Sequence, residues 1–395
     1  MEKVKLGEIA LLINGDRGKN YPSQEDITDD GEVPFVNAGH LNGKNIDYSD
    51  MNYISQEKYE KLSSGKFEKG DILYCLRGSL GKKAIVNDEV RGAIASSLVI
   101  IRPDRKKVNG DYLMFSLDAP TIREQLTKAN NGSTQPNLSA SSVREFRIEL
   151  PTLLVQKDVV EKLTKLQHVI EKRQNQINLL DKLVKARFVE LFGDLMENPF
   201  NWPMKTIADV SLFLKSGLSR KLSDEDIGLP VIRSGNIQNG QFIFDNVKYW
   251  YKDDPQGANT KDYVLEDGDV LVNFINSSSQ IGKTAIYRDT GRDCIYTTNI
   301  FRMKLADNCN EYYYNWFAMS DYYHRHLQNI IQPAVNQSSF TTVNFLKLPI
   351  PLPAKDKQNE FAEFVKQVDK SKVAIQKSLA ETQLLFDKLM QDYFG

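Results

Sequence analysis

The sequence predicts an α+β protein made of two tandem copies of one unit, each a mixed α/β domain followed by a long helix. Three observations carry this. An internal repeat runs through the chain at a nearly constant shift. Short apolar, β-rich runs with turn punctuation fill the first part of each copy. An apolar stripe at 3.5-residue spacing fills the second part.

The repeat rests on ordered anchors. Gly70-Asp71-Ile72-Leu73 returns as Gly268-Asp269-Val270-Leu271, a shift of 198. Leu80-Gly81-Lys82-Lys83-Ala84-Ile85 returns as Ile281-Gly282-Lys283-Thr284-Ala285-Ile286, a shift of 201. Pro34-Phe35-Val36-Asn37-Ala38-Gly39 answers to Pro230-Val231-Ile232-Arg233-Ser234-Gly235, a shift of 196. From Gln135 the shift settles at 202, pairing Gln135 with Gln337, Pro151 with Pro353, Gln156 with Gln358, and Phe192-Gly193 with Phe394-Gly395.

Within each copy, runs such as Asp71 to Tyr74, Ser97 to Ile101 and Asp269 to Val272 read as strands. Asn14-Gly15, Asn42-Gly43 and Asn239-Gly240 read as turns, and stretches near Asp111 to Leu117 and Glu311 to Leu327 as helices. The stripe then passes through Val159, Leu163, Leu166, Ile170, Ile177, Leu180 and Val184, with Arg173 as its one break. Its equivalent runs Phe361, Val365, Val368, Lys372, Ile375, Leu379, Thr382 and Phe386, with Lys372 in the seam. Such stripes over four heptads argue that the two helices pair with each other as a coiled coil. Each helix, at about 50 Å for about 34 residues, is long enough to act as a ruler. The divisions are 1–152 and 194–354 for the domains, and 153–193 and 355–395 for the helices.

Composition sets outer limits. With 41% hydrophobic and 26% charged residues the chain can bury real cores. No apolar run approaches the roughly 20 residues of a membrane span, and the start lacks a signal peptide's apolar stretch. Cys75, Cys294 and Cys309 form no CxxC pair, which points to a reducing, cytoplasmic setting without structural zinc or disulfides. With 51 basic against 52 acidic residues, bulk charge gives no grip on nucleic acid, so any such grip must be local or shared with partners.

The motifs suggesting chemistry fail on inspection. Ser277 to Thr284 looks like the end of a phosphate-binding loop, but Ser277 stands where its first glycine is required. A paired glycine turn carrying Lys82 or Lys283 towards an anion is the better reading. Asn198-Pro199-Phe200 lacks the second proline of an amino-methyltransferase signature and reads as linker. Pro103-Asp104 is followed by no acidic-x-Lys, only Glu124-Gln125-Leu126 and Glu145-Phe146-Arg147. His324 and His326, two apart, fall on different helix faces. No catalytic constellation and no metal site emerges.

What remains is polar loop content at matched positions. Arg17 and Lys19 answer to Arg220 and Lys221; Asn37 and His40 to Arg233 and Asn236; Arg77 and Ser79 to Asn276 and Gln280. Asn131-Gly132-Ser133-Thr134-Gln135 answers to Val335-Asn336-Gln337-Ser338. Arg, Lys, Asn and Gln pair with base edges in the major groove, and Arg and Lys also hold phosphates. With Lys82, Lys283, Gln135 and Gln337 these are the candidate DNA-binding residues. Side chains that differ on a shared frame are what two different half-sites would need.

The order and duplication of these segments resemble the specificity subunit of type I restriction–modification enzymes over the whole chain. The resemblance is carried by Gly70-Asp71-Ile72-Leu73 through Gly81-Lys82, and by Gly132-Ser133-Thr134-Gln135 through Leu150-Pro151 into the Gln156 helix. It implies two target recognition domains, each binding half of a split, asymmetric site in double-stranded DNA. It also implies an antiparallel coiled coil that fixes the spacing and docks two methyltransferase subunits, with restriction (translocase) subunits joining them. S-adenosylmethionine, ATP, Mg and the catalysis would belong to those partners, leaving this chain non-catalytic and without a cofactor. The competing readings are a single-chain nuclease or methyltransferase, whose motifs are missing, and a coiled-coil scaffold that reads no DNA.

Overall fold

The computed structural model describes residues 3–130, 136–238, 240–333 and 337–395. The chain divides into two compact units, Met1–Gln174 with Lys377–Gly395, and Asn175–Gln376.

In the first unit, an antiparallel four-stranded sheet runs Ala10–Asn14, Leu98–Pro103, Ile72–Cys75, Lys83–Ile85. The strand Ile72–Cys75 is buried on both faces. Ile72 and Tyr74 enter one core with Tyr112, Leu113 and Val143, while Leu73 and Cys75 enter another with Val36, Phe67 and Ile100. That is why it reads as an unbroken apolar run rather than an alternating one. A second sheet orders Tyr53–Ile54, Val33–Val36, Gly92–Ile94, Lys66–Phe67. Lys3–Lys5 and Arg147–Glu149 pair antiparallel as a third.

The second unit repeats the plan. Its antiparallel sheet runs Ser211–Ser216, Ile300–Leu305, Val270–Asn273, Thr284–Ile286. Val270 and Val272 face a core with Tyr313, Phe317 and Phe345, and Leu271 faces one with Ile232 and Tyr296. Leu229–Ile232 lies between Lys248–Trp250 and Ile295–Tyr296, and Met204–Thr206 pairs with Pro349–Pro351.

The anchors hold the frame. Asp71 accepts the Glu68 amide at 2.9 Å and two nitrogens of Arg102 at 2.8 and 2.7 Å. Asp269 accepts the Glu266 amide at 2.7 Å and Arg302 Nε at 2.6 Å. Gln156 Oε1 accepts the Asn109 amide at 2.8 Å, and its Nε2 donates to the carbonyls of Lys107 and Pro151. Gln358 does the same with the Asn310 amide and the carbonyls of Asn308 and Pro353.

The long helices are Leu153–Phe192 and Lys355–Phe394, 40 residues each, hence about 60 Å long. They pair antiparallel in both units. In the first, Val159 and Leu163 share a core with Phe386, Met390 and Phe394, while Arg173 donates to the Ser378 carbonyl at 2.6 Å and to Thr382 Oγ1. In the second, Phe188 packs on Phe361 at 5.3 Å, Arg187 pairs with Glu360 at 2.6 Å and Lys372 with Asp181 at 2.5 Å. The polar breaks in the stripe thus reach across the seam to the opposite helix. Each pair ends on an aromatic contact with its domain: Phe394 on Tyr112 at 5.1 Å and Phe192 on Tyr313 at 4.9 Å. Among the described residues, no helix is long and apolar enough to cross a membrane.

Candidate nucleic-acid interface

The first candidate loop of each unit is launched by a backbone crossing that excludes a side chain. A Cβ on Gly15 would stand 2.8 Å from the Ala95 carbonyl oxygen, and one on Gly217 would stand 2.0 Å from that of Tyr296. The loop after Gly15 is organised by Asp16, which accepts the amides of Gly18 and Ser63 and the Ser63 hydroxyl. Those bonds, the Gly18 amide first, hold its carboxyl below the usual range. Arg17 and Lys19 stand exposed beyond it, with Arg17 Nη2 3.3 Å from the Ser96 carbonyl.

In the second unit Arg220 is held instead. Its Nε and Nη2 donate to Asp254 Oδ2 at 3.1 and 2.6 Å. Asp254 also accepts Trp250 Nε1 and the amides of Gln256 and Ala258. The Arg220 guanidinium, with those donors behind it, holds this carboxyl far below its ordinary value. Lys221 is exposed, without an ion pair among the described residues.

The second loop works on itself. Asn37 Oδ1 accepts the Gly39 amide at 2.7 Å and Nδ2 donates to Asn52. His40 is 8% exposed; its Nδ1 accepts the Asn37 amide at 3.1 Å and its Nε2 lies 3.1 Å from the Asp50 carbonyl. That pair of partners suits the neutral ring with its proton on Nε2, and burial pushes the imidazole below its usual value. Asn236 fills the same slot in the second unit. It accepts the Arg233 amide and donates to the carbonyls of Ile243 and Asp245, while Arg233 Nη2 donates to the Asn246 carbonyl at 2.5 Å.

The third loop is the glycine turn. Gly81 and Gly282 sit at φ +78° and +80°, sealed by Leu126 and Leu327 respectively. Thr284 opens a strand, not a helix, and its Oγ1 donates to Asn315 Oδ1. This segment therefore cannot cradle a nucleotide as a phosphate loop does. Arg77 and Ser79 are exposed, and Gln280 and Lys283 half-buried. Lys82 Nζ donates to the Ala38 carbonyl at 3.0 Å.

The fourth loop, Asn131 to Gln135, lies outside the described residues, as do Ala334, Val335, Asn336 and Asn239. Gln337 is described and exposed. Asn198-Pro199-Phe200 lies in the connection after the first long helix, where Trp202 Nε1 donates to the Phe192 carbonyl at 3.0 Å. His324 Nδ1 meets the Ser320 carbonyl, and His326 packs on Tyr322.

Two grooves gather some of the candidate side chains, Arg17 and Arg77 in the first unit and Asn276, Gln280 and Lys283 in the second, and leave the other described candidates outside. In the first unit, one of about 430 Å³ is lined by Asn14, Arg17, Arg77, Asn137, Ser139 and Arg144. Arg17, Arg77 and Arg144 form no ion pair among the described residues, so three guanidinium groups line one opening. In the second unit, a groove of about 520 Å³ is lined by Ser234, Gly235, Gln238, Asn276, Gln280 and Lys283. It offers carboxamides, a hydroxyl and one ammonium. Sequence reasoning missed Arg144, Asn137 and Gln238. Arg144 ends a five-residue helix capped by Ser139, and nothing in its sequence neighbourhood points to Arg17 or Arg77.

A family model described as the type I restriction modification DNA specificity domain matches residues 1–179 and 199–383. The chain belongs to that family. It carries two specificity domains in tandem, and its role is the recognition of DNA sequence. It is similar to the putative type I restriction enzyme MjaX specificity subunit of Methanocaldococcus jannaschii, 28% identical over 177 residues, covering 45% of this chain and 41% of that one. The MjaVIII specificity subunit of the same organism is 23% identical over 399 residues, covering 93% and 86%. The fold is that of the type I restriction–modification S subunit from M. genitalium, at a TM-score of 0.60 and 15% identity, covering 100% of this chain and 96% of that one.

Proposed function

We propose that each specificity domain reads one half of a bipartite, asymmetric site in double-stranded DNA. In this reading the antiparallel helix pair sets the unread gap and docks two methyltransferase subunits, and restriction subunits join that assembly. Methylation and ATP-dependent cleavage, with S-adenosylmethionine, ATP and Mg, belong to the partners, and this chain supplies the address. A near-neutral reader fits such sharing of DNA grip.

One observation carries the reading. The two units share a frame down to single hydrogen bonds, as at Gln156 and Gln358, while the groove-lining side chains differ: Arg17, Arg77 and Arg144 against Gln238, Asn276, Gln280 and Lys283. A common scaffold with different polar edges is what two different half-sites require.

The experiment is motif determination by methylome sequencing after substitution in one domain at a time. Arg17→Ala with Arg77→Ala should alter bases in one half-site, and Gln280→Ala with Lys283→Ala in the other or in affinity alone. Changes in both half-sites from one domain's variants would refute two separable readers. Turnover of DNA, S-adenosylmethionine or ATP by the highly purified chain alone would refute the division of labour.

A further inference from the structure

Lys82 and Lys283 stand at one position of the shared frame, matched bond for bond along the backbone. The Lys82 carbonyl accepts the Cys75 amide at 2.8 Å, and the Lys82 amide donates to the Ser79 carbonyl. The Lys283 carbonyl accepts the Asn273 amide at 2.9 Å, and the Lys283 amide donates to the Gln280 carbonyl. Cys75 and Asn273 therefore correspond as well. So do Ala38 and Ser234, each opening the three-residue 3₁₀ turn that follows its strand.

The side chains use this frame differently. In the first unit Lys82 Nζ donates to the Ala38 carbonyl at 3.0 Å, while Cys75 Sγ turns to the Arg77 carbonyl. The lysine braces its own loop. In the second unit the matching carbonyl, that of Ser234, accepts the Ile237 amide and has Asn273 Nδ2 at 3.5 Å. A carbonyl oxygen has two lone pairs, so these two donors leave none for a lysine. Asn273 is fully buried, which keeps its carboxamide in place. Lys283 Nζ has no hydrogen bond or ion pair to a described residue, and Lys283 lines the groove of about 520 Å³. It is the one charged residue of that lining, beside Gln238, Asn276 and Gln280. An ammonium is a compact charge with three donors, and the anion that duplex DNA presents is the phosphate.

We infer that Lys283 holds a phosphate of the DNA backbone, that Lys82 is a brace of its loop and no DNA contact, and that Asn273 is the positioning residue that sets the two lysines apart. This rests on the reading proposed above, in which each domain binds its own half of the site.

The test uses the full-length chain assembled with its co-expressed methyltransferase subunits. Affinity for a duplex carrying the wild-type motif is measured over a series of salt concentrations, and selection from a random duplex library gives each variant's motif. Lys283→Met should weaken binding about tenfold at low salt, lower the salt slope by about 1 and leave the motif unchanged. Lys82→Met should keep the wild-type slope. Asn273→Cys places the first unit's residue at this position and frees a lone pair of Ser234 for the ammonium. It should lower the slope as Lys283→Met does and add nothing to it in the double variant. Damage to the fold alone would weaken binding in both backgrounds, so the double variant separates positioning from stability.

An unchanged slope in Lys283→Met, or an equal loss of slope in Lys82→Met, would overturn the inference. So would a motif altered by Lys283→Met, which would show a base contact. A slope unmoved by Asn273→Cys, or a further loss in the double variant, would overturn the positioning role. A wild-type motif without two halves would instead overturn the bipartite reading, and the slopes would still decide what Lys283 holds.

Discussion

Replacing Gln358 by Leu removes three hydrogen bonds from the interior and keeps the side chain's bulk. Gln358 is fully buried. Its Oε1 accepts the Asn310 amide at 2.8 Å, and its Nε2 donates to the carbonyls of Asn308 at 3.1 Å and Pro353 at 2.7 Å. Each bond contributes about 1 kcal/mol net, and a stranded buried N–H costs about 1–3 kcal/mol. The carbonyls lose less, because each keeps a second lone pair for other partners. The sum is a loss of about 3–4 kcal/mol, a large fraction of a domain's stability of about 5–15 kcal/mol. Gln156→Leu is the matched perturbation of the first unit, through Asn109, Lys107 and Pro151. Denaturant unfolding gives the magnitude, and amide exchange gives the place: Gln358→Leu should expose the Asn310 amide and spare that of Asn109, and Gln156→Leu the reverse. Asn359→Ala, which removes only an exposed bond to Asn310 Nδ2, should stay within about 0.5 kcal/mol of wild type. A loss below about 1 kcal/mol in both leucine variants, with Asn310 still protected, would refute the idea that these glutamines lock each helix to its domain.

Three further outcomes are expected. Lys372 is 6% exposed while its partner Asp181 is half in solvent, so Asp181→Ala, which strands a buried ammonium, should cost about 3 kcal/mol, and Lys372→Met should stay within about 1 kcal/mol; urea titration checks the order. Because the Asp254 carboxyl is held far below its unfolded value, its contribution is present above about pH 4 and is lost as pH falls towards the folded value; Asp254→Asn should flatten the acid limb of a stability–pH curve. One heptad inserted at opposing positions of both long helices should widen the unread gap by about 10 Å, or about three base pairs, with both half-sites unchanged; methylome sequencing shows whether the gap moves.

The frame was legible because it is built from residues with one structural solution. Asp71 and Asp269 recur because each sheet needs a carboxylate under its Arg and over a turn amide, and Gly81 and Gly282 because the turn passes through positive φ. The seam was legible from its spacing, and the breaks at Arg173 and Lys372 became intelligible once their partners, Thr382 and Asp181, lay across from them. The site was legible only to the level of loops. His40 and Asn236 look like base readers in sequence, yet they use their polar atoms on their own loops, because a loop's amides and carbonyls compete with any ligand for a nearby side chain. Arg220 looks free until Asp254, 34 residues on, closes on it. Arg144 joins Arg17 and Arg77 only through the fold.

Divergence between the two copies therefore does not by itself mark a reading residue. In the interior, Lys83 is ion-paired with Asp118 in the first unit, its ammonium pulled below the ordinary value by burial. At the same slot Thr284 bonds Asn315. This polar slot, closed off from the grooves, has been filled with two unrelated chemistries while the strands around it kept their register. What separates a reader from such a slot is divergence together with unspent hydrogen-bonding capacity. His40, Asn37, Asn236 and Arg220 have spent most of theirs, while Arg233 has spent one Nη2 donor, on the Asn246 carbonyl. Among the described residues Arg17, Lys19, Arg77, Ser79, Arg144, Lys221, Asn276, Gln280, Lys283 and Gln337 have not, and the charge in that second group is uneven, with three guanidinium groups in the first unit's groove and carboxamides in the second's. If each unit reads one half-site, as proposed, that imbalance rather than the repeat is what would make the two halves unlike.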